Sequence, residues 1–118
     1  LVRVISGEIY DVLVDIRKDS DTYCEWGGVN LSSLNNLQLW IPSGFAHGFI
    51  AKTSNTIVQY KTTDFWDKDL ERSIAWNDPE LSIDWPIEKI GFKDPIISEK
   101  DFRAPKLKEI IKSGHFFR

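Results

Sequence analysis

One of the two histidines of the sequence, His47, lies inside the apolar stretch LWIPSGFAHGF. Pro42 fixes the backbone before this residue, and Gly44 and Gly48 give the chain conformational freedom on either side of it. Residues with special backbone conformations, clustered around a titratable side chain, indicate a functional site. The histidine can serve as a metal ligand, a catalytic acid or base, or a substrate contact, or it can be a core residue satisfied by a backbone carbonyl.

A metal site at His47 would need ligands that the sequence does not supply. Residues 42–47 have the P-x-G-x-x-H form found in cupin barrels, where that histidine can be one ligand of a metal. A catalytic metal is usually held by three protein ligands, whereas His115 lies near the chain end and no H-x-H pair is present. The lone Cys24 forms no CxxC motif or Cys/His cluster. We therefore expect neither a metal nor another cofactor.

Tyr60, in the stretch IVQYKTTDF, is the second candidate for chemistry. If the segment TSN at residues 53–55 turns a hairpin, Tyr60 falls within a residue or two of direct pairing with His47, and both can point into one cavity. A tyrosine inside a small barrel can bury its ring and offer its hydroxyl as a proton donor. The alternative is a core tyrosine whose hydroxyl is satisfied.

Alternating hydrophobicity predicts the strands that must position these side chains. Residues 9–17 place Tyr10, Val12, Val14 and Ile16 on one apolar face, with Asp11, Leu13, Asp15 and Arg17 on the other. Gly7 suggests a hairpin between this strand and LVRVI, and further strands are predicted at GGVNLS, LQLWI, HGFIA and IVQYKTTDF. Short strands without crossover helices favour an all-β antiparallel sandwich or barrel.

The sequence changes character after Trp66. The stretch WNDPELSIDWP predicts an ordered loop packed on the sheet. Ser98 and Asp101 fit a capping box, and Pro105 suits the first turn of a short helix that Gly114 ends.

Composition places these elements in a single domain over residues 1–118. The chain is 42% hydrophobic, which is enough for a core, and its net charge of −3 argues against nucleic acid as a partner. It has neither an apolar run long enough to cross a membrane nor a secretory signal pattern, and it has one cysteine, so we expect a cytoplasmic protein.

Several blocks of the sequence together resemble a known enzyme family. LWIPSGFAHGF, QYKTTDFW, WNDPELSIDWP and ISEKDFRAP, in this order and spacing, are similar to the dTDP-4-dehydrorhamnose 3,5-epimerases, as are GEIYDVLVDIRKDSDTY and WGGVNLS. The resemblance runs from Leu1 to about Pro105. It implies a cupin-type jelly roll with short C-terminal helices that forms homodimers and needs no metal. It also implies epimerisation of C3 and C5 of a dTDP-4-keto-6-deoxy sugar in dTDP-L-rhamnose biosynthesis, which serves cell-envelope polysaccharide.

The resemblance also implies roles for individual residues. Tyr60 matches the family's acid, Asp101 the aspartate that orients its histidine base, and His47 a second histidine that lines the sugar site. Trp66 stands where the family more often has a tyrosine near the nucleotide, and Lys100, beside Asp101, is expected to bind substrate.

The family's base lies in an upstream block of the form LRGLHxQ, which this chain does not contain. We therefore expect the 118-residue chain to be inactive alone, and its start within a strand pattern, without methionine, favours a truncated record of a full enzyme. Three alternatives stay open: a non-catalytic sugar-nucleotide-binding cupin, an epimerase that acts at C3 only or C5 only, and a metal-dependent cupin.

Overall fold

Six strands in two antiparallel sheets make up the computed structural model, which describes residues 1–91 and 93–114. The strands are β1 (Val2–Ser6), β2 (Glu8–Asp15), β3 (Trp26–Ser32), β4 (Gln38–Leu39), β5 (Phe45–Ala51) and β6 (Ile57–Tyr60). One sheet has the order β4–β1–β6 and the other the order β3–β2–β5. A 3₁₀ turn (Glu88–Ile90) and two short helices, α1 (Glu99–Phe102) and α2 (Leu107–Ser113), follow. The all-β prediction with short C-terminal helices is confirmed.

Neither predicted hairpin forms, because the two strands that each of these turns connects belong to different sheets. β1 pairs with β4 and β6, whereas β2 pairs with β3 and β5. The turn at Gly7 therefore carries the chain from one sheet to the other. Gly7 has φ +81°, and a Cβ there would lie 2.5 Å from the hydroxyls of Thr53 and Thr56, so the crossing requires glycine. The TSN segment likewise connects β5 in one sheet with β6 in the other.

β2 is buried on both faces. On the side toward the other sheet, Ile9 packs with Leu31, Val2 and Val4. On the opposite side, Val12 belongs to a second core cluster that the C-terminal part of the chain covers. Each fully buried aliphatic side chain contributes about 1.5–3 kcal/mol, so these two clusters hold the sheets and the C-terminal segment together.

The predicted ordered loop at WNDPELSIDWP lies against the outer face of β5. The Trp85 indole N–H donates to the Trp76 carbonyl at 2.8 Å. A Cβ on Gly48 would lie 3.6 Å from the Trp85 ring, so the tryptophan packs directly over this glycine, next to His47. Gly48 thus allows Trp85 to pack closely against the outer face of β5.

The short helices begin and end where the sequence signals predict, with one shift. Ser98 caps α1 by accepting from the Asp101 backbone N–H, and Gly114 ends α2 with φ +70°. α2 begins at Leu107, two residues after Pro105. No helix in the described residues is long and apolar enough to cross a membrane.

Candidate active site

The His47 side chain is bound to a buried aspartate of the neighbouring strand. Its Nε2 donates to Asp11 Oδ2 at 3.0 Å and lies 2.9 Å from Oδ1. The Asp11 side chain is 0% exposed and that of His47 27% exposed. Because His47 pairs with Leu13 on β2, its ring can reach back to Asp11, which lies on the same face of the strand.

Sequence reasoning missed Asp11, which the alternation had placed on a polar face. That face of β2 instead turns toward the other sheet, and Ile9 on it is fully buried. A usable signal was present: Asp11 stands between Ile9 and Leu13 on one face, and a carboxylate between two large apolar residues must find a partner. Within the described part of the chain, Oδ1 has no hydrogen-bond partner, so Asp11 depends on His47.

Tyr60 faces the same space between the sheets from the opposite side. It pairs with Val2 at the end of β6, and Val2 is in the core cluster that contains Ile9 of the other sheet. Side chains of paired residues lie on one face, so Tyr60 points toward the sheet that holds His47. Tyr60 is 65% exposed, so its hydroxyl is accessible at the open end of this space. The two residues therefore share a space without being paired on neighbouring strands.

Lys100 and Asp101 reach the groove that runs along β5. The groove has a volume of about 1230 Å³, and its described lining includes His47, Lys100, Asp101, Glu71 and Arg17. Tyr60 is not in that lining, nor is Trp66, which is 73% exposed on the loop after β6. The structure thus brings three of the five predicted residues to one groove.

Lys100 forms an exposed ion pair. Its Nζ lies 2.7 Å from Glu71 Oε1, and this hydrogen bond raises the pKa of Lys100. Asp101 itself accepts a hydrogen bond from the Ser98 hydroxyl at 2.8 Å.

A second buried aspartate, Asp15, fixes the start of β5. The Arg17 guanidinium donates to it through two nitrogens, at 2.9 and 2.7 Å, and the hydroxyls of Ser20 and Thr22 donate to it as well. These donors, Arg17 first, hold the pKa of Asp15 well below its usual range. Arg17 lies 4.8 Å over the ring of Phe45, two residues before His47. The network thereby anchors the strand that carries His47.

The described residues contain no cluster of three or more histidine, cysteine or carboxylate side chains that could hold a metal ion. His115, the other histidine weighed as a ligand, lies outside the described residues.

Comparison with known proteins places these features in a family. The model of the dTDP-4-dehydrorhamnose 3,5-epimerase family matches residues 1–109. The enzyme of that name from Methanothermobacter thermautotrophicus is 52% identical over 109 residues, which are 92% of this chain and 58% of that protein. The chain spans little more than half the length of the curated relatives that it matches.

Solved structures of the family share the fold. The Mycobacterium tuberculosis epimerase superposes with a TM-score of 0.94 at 33% identity, over 99% of this chain and 57% of that one. The Legionella pneumophila epimerase, solved in complex with dTDP-4-keto-L-rhamnose, gives a TM-score of 0.89 at 42% identity, over 99% of this chain and 60% of that one. With a family match over 109 residues and a common fold, this chain belongs to the dTDP-4-dehydrorhamnose 3,5-epimerase family.

Proposed function

We propose that the whole protein epimerises C3 and C5 of a dTDP-4-keto-6-deoxy sugar, and that this chain supplies the acid and the sugar-binding face of the site. The observation that carries the proposal is the placement of Tyr60 and the His47–Asp11 pair on facing sheets. The Legionella relative, which binds dTDP-4-keto-L-rhamnose, supports the choice of substrate.

The chemistry requires groups on both faces of the sugar ring. C3 and C5 flank the C4 ketone, so loss of either proton gives an enolate whose charge rests on the ketone oxygen. The enzyme must take a proton from one face, stabilise that oxygen and return a proton to the other face. A tyrosine on one wall of the space between the sheets can return the proton, and the base must then act from the opposite face of the sugar.

Tyr60 is the proposed proton donor. It lies at the end of β6 and is 65% exposed, so a substrate can reach it. His47 is the proposed sugar contact: Nε2 is held by Asp11, so the ring has a fixed orientation and Nδ1 is left to meet the substrate. Lys100 and Trp66 are the proposed nucleotide contacts.

Asp101 is the proposed partner of the base. It reaches the groove beside β5 on an exposed helix, where it could orient a histidine on a strand that approaches this edge. We place that base outside the described residues, because the motif around His47 matches the family's second histidine and the block that holds the family's base is not in this chain.

Deuterium exchange tests this assignment. The purified chain is incubated with the dTDP-4-keto-6-deoxy sugar in D₂O, and the deuterium content of C3 and C5 is followed by NMR. We expect no enzymatic exchange from the chain alone. Exchange at an enzymatic rate would show that the chain holds a base; His47→Asn and Asp11→Asn would then reveal whether the His47–Asp11 pair is that base.

A longer form carrying an upstream histidine block separates an enzyme from a non-catalytic binder. The enzyme exchanges deuterium and converts substrate, whereas a binder retains dTDP affinity without exchange. Deuterium at only one of the two carbons would identify a C3-only or C5-only epimerase.

We also propose a cytoplasmic homodimer. Large apolar side chains such as Leu34 and Trp40 are 92% and 62% exposed, a pattern that favours association. Light scattering coupled to size exclusion measures the mass directly, and a monomer at micromolar concentration would contradict the proposed dimer.

A further inference from the structure

The buried carboxylate of Asp78 links two segments that are 29 residues apart in the chain. Asp78 is 2% exposed. Its Oδ1 accepts from the backbone N–H groups of Glu80 and Leu81, at 2.9 and 3.1 Å, within its own turn. Its Oδ2 accepts from the Leu107 backbone N–H, at 2.8 Å, in the first turn of α2. Both oxygens of the carboxylate therefore accept from backbone donors, and these donors belong to two segments.

A second hydrogen bond strengthens the same link. The Ala75 backbone N–H donates to the Pro105 carbonyl at 2.9 Å. The Leu107 side chain is 2% exposed and lies in the core cluster that contains Leu81 and Val12. Residues 105–107 are thus fixed on the outer face of β2.

Among the residues that the structure describes, the helix that carries Lys100 and Asp101 has no such anchor of its own. α1 buries none of its residues. The hydrogen bond from the Ala104 N–H to the Asp101 carbonyl continues its turn up to Pro105. Its other tie is the ion pair of Lys100 with Glu71, whose side chains are 57% and 37% exposed, and exposed pairs of this kind contribute little.

We propose that Asp78 is a positioning residue: by fixing the backbone at residues 105–107, it holds Lys100 and Asp101 at the groove beside β5. The inference rests on the proposed function for the roles of those two residues. The anchor itself rests on the contacts of Asp78 alone.

The pattern of donors explains why the residue is an aspartate. A carboxylate offers acceptors on both oxygens, and here N–H groups meet each of them. An asparagine has one oxygen and one NH₂ group. Whichever way the amide turns, an N–H donor would face either the local turn or Leu107.

Amide hydrogen exchange of Asp78→Asn tests the anchor on the 118-residue chain. We expect faster exchange at Leu107 and across residues 98–104, with the amides of β2 unchanged. Ser82→Ala is the matched control, because it removes a hydrogen bond of 2.7 Å to Pro79 inside the same turn without touching Leu107. Unchanged exchange at residues 98–107 in Asp78→Asn, or equal acceleration in Ser82→Ala, would overturn the anchor.

Native-state exchange of the unmodified chain serves if Asp78→Asn does not fold. In low denaturant, cooperative units open with a common free energy. The anchor requires that residues 75–82 and 105–107 open together, and different opening free energies would refute it.

Nucleotide affinity tests the positioning role. Asp78→Asn should weaken dTDP binding about tenfold, the loss of one charge-assisted contact, while Ser82→Ala binds as the unmodified chain does. In a Lys100→Met background, Asp78→Asn should cause no further loss, because the effect acts through Lys100. Equal affinity of Asp78→Asn, or additive losses, would overturn the positioning role. Absence of dTDP binding by the unmodified chain would instead count against the proposed function, and the exchange result would stand separately.

Discussion

The pairing of His47 with Asp11 predicts an unusual order of stabilities. His47→Leu keeps apolar volume but leaves the Asp11 carboxylate, 0% exposed, without its partner. An uncompensated buried charge of this kind costs about 3–5 kcal/mol. Asp11→Asn keeps the shape and an oxygen that can accept from Nε2, so it should cost only about 1 kcal/mol.

The double variant should be more stable than His47→Leu alone. An unpaired neutral amide costs about 1–3 kcal/mol, which is less than an unpaired carboxylate. We therefore expect Asp11→Asn to restore about 2 kcal/mol in the His47→Leu background. For a chain of 118 residues this corresponds to about 8 °C in Tm. Asp11→Asn should thus destabilise the unmodified chain but stabilise the His47→Leu variant.

Urea unfolding followed by tryptophan fluorescence at pH 7 measures these differences. Phe49→Leu is the control on the same strand face, since Phe49 has no carboxylate to leave behind. Additive losses in the double variant would refute the dependence of Asp11 on His47.

Three further predictions concern packing, catalysis and acid stability. Gly28→Ala should destabilise the chain by about 1–3 kcal/mol, because the new Cβ would lie 2.1 Å from the Tyr10 hydroxyl, whereas Gly27→Ala meets nothing within 4 Å; equal melting temperatures would contradict this. Tyr60→Phe in a complete enzyme should lower kcat about 10²–10⁴-fold while calorimetry finds dTDP affinity nearly intact, and unchanged turnover would remove Tyr60 from the mechanism. The lowered pKa of Asp15 means that its contribution is complete above the ordinary carboxyl pKa near 4 and is lost as the pH falls further, so Asp15→Asn should flatten the acid side of the stability–pH curve; an unaltered acid side would count against it.

Local signals in the sequence located the elements and some of their ends, although the strand predicted at IVQYKTTDF stops at Tyr60. Alternation located the strands, Ser98 and Gly114 marked helix ends, and the motif blocks pointed to the family that the comparisons then showed. These features depend on the conformational preferences of residues that are close together in the sequence, so local patterns are enough to predict them.

The tertiary structure alone decided which strands pair and which polar groups are buried. A period of two says which residues share a face, but not which sheet receives the strand, so the predicted hairpins at Gly7 and at residues 53–55 were wrong. Asp11 and Asp78 are buried for the same reason: their partners, His47 and the backbone of Leu107, lie 36 and 29 residues away. Contacts of such sequence separation form only when distant segments of the chain have come together, and the identity of those segments is not encoded in local sequence patterns.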